Sequence, residues 1–119
     1  MGSKAKGLPK NKYPAVFLKI WQACSKIPKG KVASYSFLAA QIGKPKAARV
    51  VARALARNPY APQVPCHRVV RSNGALGGYS APGGLARKAQ LLRQEGISFV
   101  AGNRVRPDCL LQPSKKELR

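Results

Sequence analysis

Acidic residues are almost missing from this 119-residue chain: Glu95, Asp108 and Glu117 stand against 23 lysines and arginines, for a formal net charge of +20 at pH 7. The first 107 residues carry a single carboxylate side chain, that of Glu95. A field of one sign with so little to neutralise it favours a polyanionic partner. No apolar run is long enough to span a bilayer, and no charged, apolar and cleavage-site succession opens the chain, so no membrane role and a cytoplasmic address are expected. One histidine, His67, and three scattered cysteines, Cys24, Cys66 and Cys109, are present without a CxxC pair. That spacing suits reduced thiols better than a disulfide framework and offers no four-ligand metal set, so neither metal nor cofactor is expected. Internal repeats and low-complexity segments are absent as well.

What remains is 45% apolar, enough for one modest core. The reading is a flexible basic N-terminus over residues 1–12 and a single domain over 13–119. From Pro14 to about Ser25, Phe17, Ile20, Trp21 and Cys24 recur at helical spacing, with Cys24 on the core face. Val32-Ala33 is a short extended piece, and Ser34 is an N-cap for a helix through Leu38 to Ile42. After the Gly43-Lys44 break, Pro45 stands in the first turn of a third helix that continues from Lys46 to Arg57. A last helix from about Gly84 to Glu95 turns Leu85, Ala89 and Leu92 inward and ends at Gly96. Two short extended runs around Ala101-Gly102-Asn103 predict a hairpin or wing. Residues 59–83 read as loops and turns. The fold class expected is mainly α, a small winged-helix-like domain with a helix-turn-helix and a short C-terminal hairpin.

On a helical wheel the third helix separates a basic face of Lys46, Arg49, Arg53 and Arg57 from a core side of Ala47, Val50, Val51, Ala54 and Leu55. Ala48, Ala52 and Ala56 form a third, slender side. A basic stripe is commonly a solvated face, but here no Glu or Asp is interleaved, which favours a nucleic-acid face.

Chemistry concentrates in Pro65-Cys66-His67-Arg68. A thiol becomes a strong nucleophile as thiolate, and neighbouring positive charge or a base draws it toward that form. In extended chain Cys66 and His67 would point to opposite faces, so a turn or a bridging water is needed for them to cooperate. Glu95 falls at the end of the last helix, where a carboxylate opposes the helix dipole. Two readings stay open for it: orienting His67 as the third member of a relay, or pairing with a neighbouring arginine.

The succession Val32-Ala33-Ser34-Tyr35, Gly43-Lys44-Pro45-Lys46-Ala47-Ala48-Arg49, Asn58-Pro59, Pro65-Cys66-His67-Arg68-Val69-Val70, Gly78-Tyr79-Ser80 and Glu95-Gly96 resembles the C-terminal, active domain of the O6-alkylguanine-DNA alkyltransferases, also called methylated-DNA–protein-cysteine methyltransferases. The resemblance implies that Cys66 accepts an alkyl group from O6 of a flipped-out guanine, irreversibly and once per molecule. It assigns His67 the thiol proton through a water, Glu95 the orientation of His67, Tyr35 assistance to the departing guanine, and Asn58 the hydrogen bonds that organise the site. Arg49 would fill the gap left by the extruded base, with Lys46, Ala48, Arg53 and Tyr35 completing the DNA contact. Pro65, Val69, Tyr79, Ser80 and Leu55 would form the substrate pocket. The partner implied is double-stranded DNA containing O6-alkylguanine, met by a monomer without cofactor, in the nucleoid-bearing cytoplasm of a prokaryote or the nucleus of a eukaryote.

The alternative is a non-catalytic alkylguanine-sensing DNA-binding protein. Such proteins characteristically lack the reactive cysteine, and the intact Pro65-Cys66-His67-Arg68 run argues for transfer. A plain helix-turn-helix regulator would account for residues 34–57 but not for 65–69.

Overall fold

Trp21 is fully buried at the centre of the helical half of the protein in a computed structural model, in which residues 13–61, 63–79 and 81–111 are described. The segment 1–12, expected to be flexible, and the end of the expected domain at 112–119 lie outside the described residues. Trp21 belongs to α1, Ala15–Ser25, whose buried positions are Phe17, Ile20, Trp21 and Cys24, the face predicted from helical spacing. Its indole N–H donates to the carbonyl of Ala54 at 2.8 Å. Tyr13, Phe17 and Tyr60 surround the ring with centroid separations of 4.9, 6.0 and 5.9 Å. A large aromatic with a satisfied donor thus locks α1 to the helix that carries Ala54.

The next elements follow from local chemistry. Strand β1, Ala33–Ser34, runs directly into α2, Tyr35–Gln41, because the Ser34 hydroxyl accepts from the Phe37 amide at 2.9 Å and caps the first turn. Helix α3, Ala48–Ala56, begins three residues after Pro45, the residue expected in its first turn. The Ala47 amide bonds the Lys44 carbonyl at 2.9 Å, closing a turn around Pro45 and Lys46, and Val51 to Ala47 at 3.0 Å is the first helical bond. Lys46 therefore sits on the turn, ahead of the helix. Helices α2 and α3 pack on each other and both pack on α1.

Within the range 59–83, expected to be loops and turns, residues 66–70 form regular structure. Cys66–Arg68 form a 3-10 turn that feeds strand β2, Val69–Val70, and β2 pairs in parallel with β1, Ala33 opposite Val69 and Ser34 opposite Val70. Two residues are too few to show a period of two in sequence, and the pairing is long-range. Helix α4, Gly84–Gln94, follows, then the antiparallel hairpin β3, Phe99–Val100, and β4, Arg104–Val105, with Gly102 and Asn103 at positive φ in its turn. The mainly helical class with a C-terminal hairpin is as expected. One helix face is not: Leu85 is exposed, and the buried side chains of α4 are Lys88 and Leu92.

Two clusters of buried apolar side chains result, one between α1, α2, α3 and the Cys66 turn, the other beneath β2, α4 and the hairpin. Cys66 and Val69 belong to the first cluster and Val70 to the second, so the Cys66 turn and β2 occupy the seam between them. Trp21→Phe keeps most of the apolar volume and removes the donor to Ala54; it is expected to cost about 1–2 kcal/mol, read from denaturant titration.

Candidate active site and nucleic-acid face

The Cys66 turn is held by its own backbone and by Asn58. The Cys66 amide bonds the Val64 carbonyl at 2.8 Å, and the Arg68 amide bonds the Pro65 carbonyl at 2.9 Å. Asn58, just past α3, donates from Nδ2 to the same Val64 carbonyl at 2.9 Å and accepts the Tyr60 amide on Oδ1 at 2.8 Å. Its side chain also hydrogen-bonds the Cys66 thiol. Burial pushes that thiol up from its ordinary value, against the opposing pull of Asn58 and the positive charge of Lys88. At neutral pH the resting group is therefore a thiol, and a base has to remove its proton before it reacts.

A candidate base, His67, is beside it in sequence and buried. His67 Nε2 meets Glu95 Oε2 at 3.0 Å. Glu95 also accepts from Arg68, Nε at 2.9 Å on one oxygen and Nη2 at 2.7 Å on the other. The contacts of both readings of Glu95 are present together: it meets the imidazole and pairs with an arginine. Burial would raise its carboxyl, but the bonds from Arg68 and His67 outweigh that and hold it below the usual carboxylate range. For His67, burial wins over Glu95 and lowers its pKa from the ordinary 6.5, so the ring is neutral at neutral pH. With a carboxylate at Nε2, the neutral ring carries its proton there and leaves Nδ1 as the acceptor. Nδ1 is buried and has no protein partner among the described residues.

A pocket of about 260 Å³ opens beside Cys66, lined by Tyr35, Ala52, Leu55, Ala56, Cys66, Gly78 and Tyr79. It brings together Cys66, Tyr35, Leu55 and Tyr79 from the expected site. Pro65 and Val69 are buried and do not line it; Val69 packs into the first core cluster. Ser80 lies outside the described residues. Burial raises the Tyr35 hydroxyl above its ordinary value, against a hydrogen bond from the Gly78 backbone, so the phenol keeps its proton and remains a donor. Gly77, at φ 72°, passes so close that a Cβ there would stand 2.6 Å from the Tyr35 oxygen.

Helix α3 supplies the outer wall. Ala52 and Ala56 line the pocket, and Arg49 and Arg53 project from the same exposed side; Ala48 is half-buried at the helix start, and Lys46 and Arg57 are exposed at either end. The two described carboxylates are engaged elsewhere, Glu95 by His67 and Arg68 and Asp108 by Arg106. The basic side of α3 thus faces no carboxylate among the described residues.

Sequence reasoning passed over Lys88. Its ammonium is fully buried and donates to the carbonyls of Val69 at 2.7 Å, Gly78 at 3.1 Å and Leu76. A signal was available: Lys88, Leu92 and Glu95 stand at i, i+4 and i+7, so a lysine occupies the inward stripe of α4.

With this geometry in place, the likeness to known proteins becomes specific. Residues 15–97 match the family described as 6-O-methylguanine DNA methyltransferase, DNA binding domain. The chain is 57% identical over 76 residues to the bifunctional transcriptional activator/DNA repair enzyme Ada of Escherichia coli, covering 64% of this chain and 21% of that protein. It is 53% identical over 81 residues to the methylated-DNA–protein-cysteine methyltransferase of Salmonella typhimurium, covering 68% and 46%. Among solved structures, Mycobacterium tuberculosis OGT in complex with DNA aligns with a TM-score of 0.67 at 44% identity, over 71% of this chain and 51% of that one. Atl1 of S. pombe, in complex with damaged DNA containing O6-carboxymethylguanine, aligns with a TM-score of 0.69 at 28% identity, over 82% and 94%. The chain therefore spans half or less of the length of these two curated relatives. A match over residues 15–97, together with these relatives, places the chain in the 6-O-methylguanine DNA methyltransferase family, as its DNA-binding domain.

Proposed function

We propose that this protein repairs O6-alkylated guanine in double-stranded DNA by transferring the alkyl group to Cys66. One observation carries the reading: the thiol opens into a pocket whose outer wall is the alanine side of α3, next to Arg49 and Arg53. A nucleophile and a basic, carboxylate-free helix face share one edge. The pocket's 260 Å³ is small, suited to one planar base rather than to a large ligand.

In the proposed reaction the Cys66 proton passes to His67 Nδ1 through a water, and Glu95 stabilises the imidazolium that forms. The thiolate attacks the alkyl carbon, an S–C bond forms, and the C–O6 bond breaks with its electrons returning to the guanine. Tyr35 donates to the departing base, which offsets the charge left on it. The product is a thioether, which water does not hydrolyse, and no side chain in the pocket restores the thiol. Each molecule would act once. To reach O6 the base must leave the duplex, and Arg49 would take its place in the stack while the small side of α3 allows close approach to the minor groove.

A second reading draws on the likeness to Atl1 in complex with damaged DNA containing O6-carboxymethylguanine. On that reading the protein recognises the lesion and leaves it intact. Intact-protein mass spectrometry after incubation with duplex DNA containing O6-methylguanine separates the two. One methyl group on Cys66, saturating at one per protein and lost in Cys66→Ala, supports transfer; tight lesion binding without mass change supports sensing.

Two further outcomes follow from the geometry. Arg49→Ala should slow repair in duplex DNA by about tenfold or more while sparing reaction with free O6-benzylguanine; equal losses on both substrates would exclude a stack-filling role. For the acid limb, the transfer rate should fall only as pH drops through the lowered pKa of His67, below the ordinary 6.5. Glu95 raises His67 by its bond and its charge, so Glu95→Gln should move that limb to still lower pH and reduce the plateau rate, in a pH–rate profile.

A further inference from the structure

The exposed stripe of α3 and its C-cap carries only two residue types: Arg49, Ala52, Arg53, Ala56 and Arg57, above the buried Val51, Ala54 and Leu55. The two alanines line the Cys66 pocket and the three arginines do not. None of these guanidiniums has a carboxylate partner among the described residues. Arginine and alanine therefore alternate along the face that the proposed repair brings to the duplex, with the arginines free to reach outward.

Their spacing gives them different places on DNA. Arg53 follows Arg49 by one turn, about 6 Å along the helix axis, and Arg57 follows by two, about 12 Å. At about 100° per residue the row also winds away from the alanines, so that Arg53 is turned about 40° and Arg57 about 80° from Arg49. Once Arg49 fills the gap left by the extruded base, with α3 lying along the minor groove, the advance of one turn spans about two base pairs at about 3.4 Å each. Arg53 then still faces the floor of the groove, whereas Arg57 has turned toward its wall, where the phosphates are. On that floor an A·T pair offers only acceptors, and a G·C pair adds the guanine amino group, a donor. A guanidinium has donors alone.

We infer that Arg53 is a specificity-determining residue that reads the base pair two steps from the lesion, its guanidinium donating to the minor-groove acceptors of an A·T pair and being opposed by the guanine amino group of a G·C pair. The inference rests on the proposed repair reading. It differs from attraction to phosphate, which carries no sequence information and which one arginine of the row supplies as well as another.

The test uses duplexes carrying one O6-methylguanine, with either A·T or G·C two pairs to its 5′ side, and a second set varied two pairs to its 3′ side, the remaining sequence held constant. The rate of methyl transfer to Cys66 is measured for the wild type, Arg53→Ala and Arg57→Ala, the two variants removing equal charge from the same exposed row. Alanine is the better helix former and both arginines are exposed, so neither substitution threatens the fold, which Tm checks. Reading by Arg53 predicts that, on one side of the lesion, the wild-type ratio of A·T to G·C rates falls by about fivefold or more in Arg53→Ala. Arg57→Ala should slow both duplexes alike and keep the wild-type ratio. A ratio that survives in Arg53→Ala belongs to the DNA and overturns the inference. So does an equal fall of the ratio in both variants, which indicates bulk charge, and so does a wild type without a ratio on either side. If methyl never reaches Cys66 in any duplex, the repair reading fails instead. The affinities of the same duplexes for the same three proteins, by fluorescence anisotropy, then supply the ratio and decide the inference on the same outcomes.

Discussion

The carboxylate of Glu95 is the interaction on which the site depends. In a chain with three acids, it takes both guanidinium bonds of Arg68 and the Nε2 of His67, at 2.7 to 3.0 Å. Arg68 in turn donates to the carbonyl of Ile27 at 2.7 Å, at the end of the segment that follows α1. One anion thereby joins the end of α4, the Cys66 turn and the approach to β1. Removing one partner of such a part-buried cluster leaves an unpaired charge inside, which is more costly than never having built it. The helix dipole disfavours a carboxylate in this place, and two charge-assisted bonds from Arg68 offset that penalty.

Charge scarcity also explains the division of labour across the surface. Because the described acids are spent on Arg68, His67 and Arg106, the arginines of α3 have no carboxylate to satisfy them. A guanidinium left to solvent in this way is ready for phosphate, and release of counterions from DNA would supply affinity without reading sequence. The pocket is walled on one side by the alanines of α3 and also carries a protonated thiol and a protonated phenol. Both groups are raised by burial, so the thiol and the phenol are neutral at rest.

The pocket is assembled from parts that are far apart in the chain and differ in rigidity. α3 and the Cys66 turn are fixed by helix packing, by Asn58 and by the β1–β2 pairing. The rim at Gly77, Gly78 and Tyr79 has no such ladder and is held by Lys88 and by its contact with Tyr35.

Much of this was legible in the sequence because it depends on local chemistry. Helical spacing placed Phe17, Ile20, Trp21 and Cys24 inward; Ser34 announced its cap; the glycine and asparagine of residues 102 and 103 marked the hairpin turn; the run Pro65-Cys66-His67-Arg68 put a thiol and an imidazole side by side. Tertiary structure decided the rest. The start of α3 at Ala48 followed from a turn bond to Lys44, and the β1–β2 pairing from contacts across 36 residues, too short in each strand to leave a periodic trace. Whether Glu95 served His67 or an arginine was settled only when the fold brought both to it. Lys88 shows the boundary most clearly: spacing alone put a lysine on an inward face, but only the convergence of three distant carbonyls made that burial possible and gave it meaning.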